Sequence, residues 1–257
     1  MPPIEIDDRR MKRLLNEGLI WLAESGEAPP PGELLQRIPE TWHGVDVAAA
    51  PLKKTAPEEI YRSACQSVVA VGKLYLCSRC GKRHTHIASG FAIAKSGLVV
   101  TNFHVADDPE KLALGIMTLD GSVHPVQSIV RADRSSDLAI LQLPIDDLVP
   151  LPLGDEPPVG APIYVLSHPA GRLFTFTEGI VSRYVSHGRT RLMAVTADFA
   201  RGSSGAPVLD AHGAVVGVAR QTKSVYHHSE DDTPPRLQMV LKQCVPAGSL
   251  RNCLRST

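Results

Sequence analysis

From Ser67 onward turns cut the chain into short apolar runs, and this punctuation constrains the fold more than any other feature of the sequence. The runs read SVVAVGKLYL, SGFAIAKSGLVVTN, LALGIMTLDGSVHPVQSIV, DLAILQLP, PIYVLSH, GIVSRYVS, RLMAVTAD, APVLDAHGAVVGVA and RLQMVLKQ. Val, Ile and Leu dominate them, while Asp-Gly, Ser-Gly and His-Gly pairs mark reversals. β-branched runs broken by such pairs are what antiparallel strands joined by tight turns require. No ten-residue helical pattern alternates with the runs, which speaks against a parallel α/β sheet. Nine or more short strands in about 190 residues predict an all-β barrel or a pair of sandwiches.

Ahead of the strands, Met11, Leu14, Leu15, Leu19 and Leu22 recur at three-to-four spacing, so an amphipathic helix is expected over 9–24, docked on the main body. The stretch GEAPPPGELLQRIPETWHGVDVAAAPLKKTAP then reads as a Pro-rich linker that wraps the surface or stays mobile. The chain thus divides into a helix-and-linker segment, 1–56, and a main domain, 57–257. Lys plus Arg equals Asp plus Glu, 27 each, and no basic run carries interleaved aromatics, so nothing favours nucleic acid or an anionic membrane. The N-terminus lacks the apolar core of a signal peptide, and no window approaches the roughly 18 apolar residues of a membrane span. A cytoplasmic location is the expectation. Five cysteines, two of them spaced Cys77-x-x-Cys80, argue against a complete disulfide framework. The sequence carries no signature of oligomeric state.

Chemistry enters with DFARGSSGAPVLDAHG, residues 198–213. Serine catalysis needs a hydroxyl, a base within reach, a group orienting that base, and donors aimed at the developing oxyanion. The spacing Gly-x-Ser-Gly-Ala between strands is not the nucleophile elbow of an α/β-hydrolase, and alone it is also what an ordinary turn looks like. Upstream, SGLVVTNFHVADDP places His104 at a strand exit, and RADRSSDLAILQLP places Asp137 at a strand start. Each by itself has an ordinary structural reading. Together they fall in the order His104, Asp137, Ser204, the order of chymotrypsin rather than of subtilisin or the α/β-hydrolases.

TNFHV, DLAIL and GSSGAPVL resemble, in order, the three motifs of trypsin-like proteases, and above all of the HtrA/DegP-like bacterial branch. The intervening LPLGDEPPVGAPIYVLSHPAG and TEGIVSRY are similar to that branch as well, so the resemblance covers residues 57–246. It implies two six-stranded antiparallel β-barrels with an N-terminal helical extension. It also implies a serine endopeptidase in which Ser204 attacks the scissile carbonyl, His104 moves the proton and Asp137 orients the imidazole. Gly202 and Ser204 N–H groups would form the oxyanion hole, worth on the order of 3 kcal/mol per donor. No cofactor enters such chemistry, and the partner is a polypeptide substrate. The chain departs from the family at Ala206, where glycine is usual, and at Ser203, where digestive and clotting relatives carry the aspartate that captures a new N-terminus. No ion-pair switch of that kind is therefore expected. HtrA relatives usually continue into a PDZ domain, whereas this sequence stops shortly after its last strand, so peptide-gated regulation is not expected.

Asp198 stands six residues before Ser204, the offset of the acidic pocket floor in trypsin, and would favour Arg or Lys beside the scissile bond. Arg220 and Gln221, in ARQTK, would run beside the substrate backbone as an added strand. In LYLCSRCGKRHTHIASG, Cys77, Cys80, His84 and His86 are four candidate ligands for a structural zinc ion. The alternatives for that loop are a Cys77–Cys80 disulfide and ordinary surface histidines. Two rivals to the peptidase reading remain at this stage. One is a trypsin-fold pseudoenzyme recruiting partners through the Cys/His hairpin and N-terminal helix; the other is an esterase using the same triad.

Overall fold

The computed structural model describes residues 2–51, 53–188, 190–227 and 236–256. Three helices precede the strands: α1 Asp8–Ser25, α2 Pro31–Gln36 and α3 Pro57–Ala64. The first sheet is built from β1 Val68–Leu76, β2 Arg83–Ala94, β3 Leu98–Thr101, β4 Ala113–Met117, β5 Val123–Pro125, β6 Ser128–Asp133 and β7 Leu138–Gln142. A single-turn helix, α4 Phe103–Ala106, interrupts it between β3 and β4. The second sheet comprises β8 Pro162–Ser167, β9 Thr175–His187, β10 Thr190–Val195, β11 Pro207–Leu209, β12 Val215–His227 and β13 Arg236–Pro246, and α5 Ala247–Leu254 follows it.

All the strand ladders are antiparallel. The second sheet closes into a six-stranded barrel in the order β10-β13-β12-β11-β8-β9. The first is a curled seven-stranded sheet, β5-β4-β1-β2-β3-β7-β6. This is the expected double-barrel architecture, with one refinement. The first half has seven strands rather than six, and its edge strands β5 and β6 are not paired with each other.

The helical extension covers that half from outside. Met11, Leu15, Leu19 and Leu22 of α1 are buried, in line with their spacing. Asp7 caps the helix through its carboxylate, which accepts the Arg10 N–H at 3.0 Å, and Gly26 ends it in the left-handed region at φ 75°. The helix lies over β1 and β4 where Gly72 and Gly115 face each other across the ladder. A Cβ on either glycine would come within 2.7 Å of Leu19, so the glycines make the groove that seats the helix. β1 is consequently buried on both faces, with Ala70 and Leu74 towards α1 and Val69 and Val71 inside the sheet. That explains why VVAVGKLYL reads as nearly continuous apolar sequence rather than as an alternation.

The Pro-rich segment wraps the molecule, and it contains a helix that its prolines had masked. Pro31 opens α2 at the position where a missing N–H costs nothing. Further on, Val45 N–H donates to Leu254 O at 3.1 Å and Thr55 N–H to Ala211 O at 2.8 Å, tying the segment to the second barrel. Helix α5 went unread in the sequence. Its buried Ala247, Leu250, Cys253 and Leu254 cover β12 and β13. Among the described residues no helix is long and apolar enough to cross a membrane.

Candidate active site

Strand β3 delivers Asn102 and then His104 on α4 to the rim of a cleft of about 610 Å³. Asp137 approaches the same point from the turn before β7, in the left-handed region at φ 58°. That conformation is uncommon for a residue other than glycine. The Asn102 amide, which donates to Asp137 O at 2.9 Å, holds the backbone there. The Asp137 carboxylate accepts the His104 backbone N–H at 3.0 Å and contacts His104 Nδ1 at 2.9 and 3.1 Å. Burial opposes ionisation of Asp137. The bonds from the His104 ring and backbone, with the charges of His104 and Arg220, outweigh it and hold the carboxyl below its ordinary range. The imidazole is thus pinned through Nδ1, with half of its side chain exposed to the cleft.

Ser204 reaches the cleft from the opposite sheet, on the loop between β10 and β11. Its two glycines are required by space: a Cβ on Gly202, at φ 101°, would collide with His168 O, and one on Gly205, at φ 87°, with Ser89 O and Thr101 Oγ1. The loop is clamped to β2, because Ser89 N–H donates to Ser204 O and Ser89 Oγ to Gly202 O, both at 2.9 Å. Ser203 is fully buried and its hydroxyl donates to Ser167 Oγ at 2.9 Å, away from the cleft. Ser204 Oγ instead lines the cleft and donates to Arg220 O at 3.2 Å. Among the described residues no hydrogen bond joins Ser204 to His104. Nor do the Gly202 and Ser204 N–H groups donate to any described acceptor. Ala206 is buried in the core of the second barrel, where its methyl is accommodated.

The sequence matches the trypsin-like peptidase domain over residues 88–218, which is half of the chain. This chain belongs to the trypsin-like peptidase family. Within that family it is 32% identical over 142 residues to a probable periplasmic serine endoprotease, DegP-like, of Hahella chejuensis, matching 52% of this chain and 29% of that protein. It is 28% identical over 175 residues to the anti-sigma-I factor RsgI9 of Acetivibrio thermocellus, matching 66% of this chain and 24% of that protein. The chain therefore spans less than a third of either relative's length. An HtrA-type protease solved with a decapeptide superimposes with a TM-score of 0.59 at 17% identity, over 76% of this chain and 64% of its own. At that identity the likeness is one of fold.

Other residues singled out in the sequence of this trypsin-like peptidase take different places. Asp198 is no pocket floor: its side chain is 88% exposed and pairs with Lys242 Nζ at 3.2 Å. An exposed, paired carboxylate has no unmet need for a substrate cation, so the expectation of Arg or Lys specificity loses its basis. Gln221 lines the cleft and donates to Gln243 Oε1 at 2.7 Å. Arg220 is the unpaired residue where the β12–β13 register shifts between Ala219 and Gln221. The bulge turns its side chain inward, and Nε donates to Asp137 Oδ2 at 3.0 Å. That ion pair is not legible in the sequence, since a bulge depends on the partner strand.

Of the four candidate metal ligands, three come together. Ligand atoms of Cys77, Cys80 and His84 lie within 4.8 Å of one another. His86 does not join them; its ring packs 4.2 Å from Tyr75 and its Nε2 meets Arg201 Nη2 at 3.3 Å. Those contacts hold the His86 ring away from the cluster. Bonds from the Cys80 and Arg79 backbone N–H groups and from the Cys80 thiol hold the Cys77 thiol below its ordinary range. His168, beside the Ser204 loop, is fully buried and pushed down to about 4 by desolvation, and its Nδ1 accepts the Phe174 N–H at 3.0 Å. It stays neutral and has no access to the cleft.

Proposed function

We propose that the chain is a serine endopeptidase that cleaves polypeptides through an acyl-enzyme, with Ser204 as nucleophile, His104 as general base and acid, and Asp137 as the group that orients it. The observation that carries this reading is the meeting, in one cleft, of Ser204 from one sheet and His104 from the other, with Asp137 bonded to the ring nitrogen that must stay away from the nucleophile. Ser204 Oγ bonds to the scissile carbonyl carbon as its proton passes to His104 Nε2. The C–N bond then breaks as Nε2 returns the proton to the leaving amine, and water repeats the sequence on the ester. The free N–H groups of Gly202 and Ser204 suit the oxyanion, and a metal ion has no step because the chain supplies every group. Ser203, buried against Ser167, offers no carboxylate for a cleaved N-terminus, so activity without prior cleavage belongs to the same reading. All five cysteines are free thiols, which suits a reducing, cytoplasmic setting.

Fluorophosphonate labelling combined with cleavage of a peptide library tests the reading. Wild type is expected to be labelled and to cleave peptides, and Ser204→Ala to do neither. Equal labelling of both proteins would overturn the assignment.

A further inference from the structure

The tip of the β1–β2 hairpin stands outside the peptidase machinery. From Leu76 to His84 no residue is buried, so the tip has no apolar core to hold its shape. What it has is a turn closed by backbone bonds, Cys77 N–H to Lys82 O at 2.8 Å and Gly81 N–H to Cys77 O at 2.9 Å, with Gly81 at φ 65°. Across the turn, Cys80 Sγ lies 3.2 Å from His84 Nε2. His84 is fixed opposite Tyr75 in the ladder, with the two rings 5.8 Å apart.

We propose that Cys77, Cys80 and His84 form a three-ligand site for a zinc-class cation, with the fourth position open to solvent. Ligands on such an ion, with bonds of about 2.3 Å to sulfur and about 2.1 Å to nitrogen, stand roughly 3.5–3.8 Å apart, so a cluster already within 4.8 Å closes by rotamer adjustment. Two thiolates and an imidazole select zinc over calcium or magnesium, which take oxygen ligands. Binding releases the two thiol protons and transfers no electrons. The ion staples the tip, while the base of the hairpin is tied to α1 by the Arg83–Glu24 ion pair and by Thr85 Oγ1 donating to Asn16 Oδ1 at 2.9 Å. Strand β2 leads from His84 directly to Ser89, which clamps the Ser204 loop, so the stapled hairpin continues into the strand that holds that loop.

Cobalt(II) alone, titrated into the reduced, metal-free full chain, reads out thiolate ligation by its charge-transfer absorption, and zinc should displace it. One equivalent is expected. Cys80→Ser and His84→Ala should each weaken binding at least about 10-fold, and His86→Ala should change it by less than about 3-fold. Ser204→Ala should bind cobalt as wild type does, so this result is independent of the peptidase assignment. Binding well below one equivalent, or a Cys77–Cys80 disulfide in protein prepared under reducing conditions, would overturn the site. A His86→Ala loss as large as that of His84→Ala would overturn the three-ligand set.

Discussion

Ser203 and Ser204 are neighbours in sequence with opposite surroundings: one hydroxyl is buried on Ser167 and the other lines the cleft. Ser204→Ala should lower peptide hydrolysis by about 10⁴-fold or more, since the nucleophile and its partners act as a unit. Ser203→Ala should keep the rate within about 10-fold and lower stability by about 1 kcal/mol, the worth of one buried hydrogen bond. Hydrolysis rates and urea denaturation of the two variants separate these roles. His168 carries a different prediction. Its folded form protonates only near pH 4, whereas in the unfolded chain it titrates near its ordinary 6.5. Between those values the unfolded chain binds more protons, so stability declines as pH drops from 6.5 towards 4. The contribution between pH 7 and pH 5 is about 2 kcal/mol. His168→Asn keeps an acceptor for the Phe174 N–H and should flatten that decline, as read by urea midpoints at the two pH values.

Among the elements, α1 was legible because its apolar spacing needs no knowledge of what it covers. The expected 9–24 became Asp8–Ser25. Its seat was not legible, because Gly72 and Gly115 form a groove only once β1 and β4 pair. Leu19→Ala removes the side chain that fills this groove and should cost about 3 kcal/mol in denaturant unfolding. The β12 bulge is a second feature invisible in the sequence. Arg220→Gln removes the cation from a carboxylate whose side chain is 8% exposed and should cost about 2 kcal/mol, below the full value for a buried pair because Arg220 is itself 22% exposed. Thermal or urea unfolding measures it.

In the molecule as a whole, the site exists only where the two sheets meet. Ser89 of the first sheet holds the backbone of the Ser204 loop of the second, and its Oγ also accepts the His168 N–H at 3.2 Å. Ser89→Ala should therefore lower kcat roughly 10- to 100-fold with little change in KM, since a loop displaced by about 1 Å misaligns Ser204 without removing a substrate contact. Steady-state kinetics on a peptide substrate distinguishes this from a loss of binding. By itself the sequence determined the β-rich antiparallel class, the amphipathic helix and three motifs in chymotrypsin-like order, because each is written in local periodicity or in residue types at fixed spacing. Only the tertiary structure decided that Asp198 faces solvent, that Arg220 turns onto Asp137, that His86 leaves the Cys/His cluster and that Ser89 clamps the loop. Each of these depends on which strand lies opposite, at what register and how deeply, and those quantities arise from pairing across long sequence separations rather than from neighbouring residues.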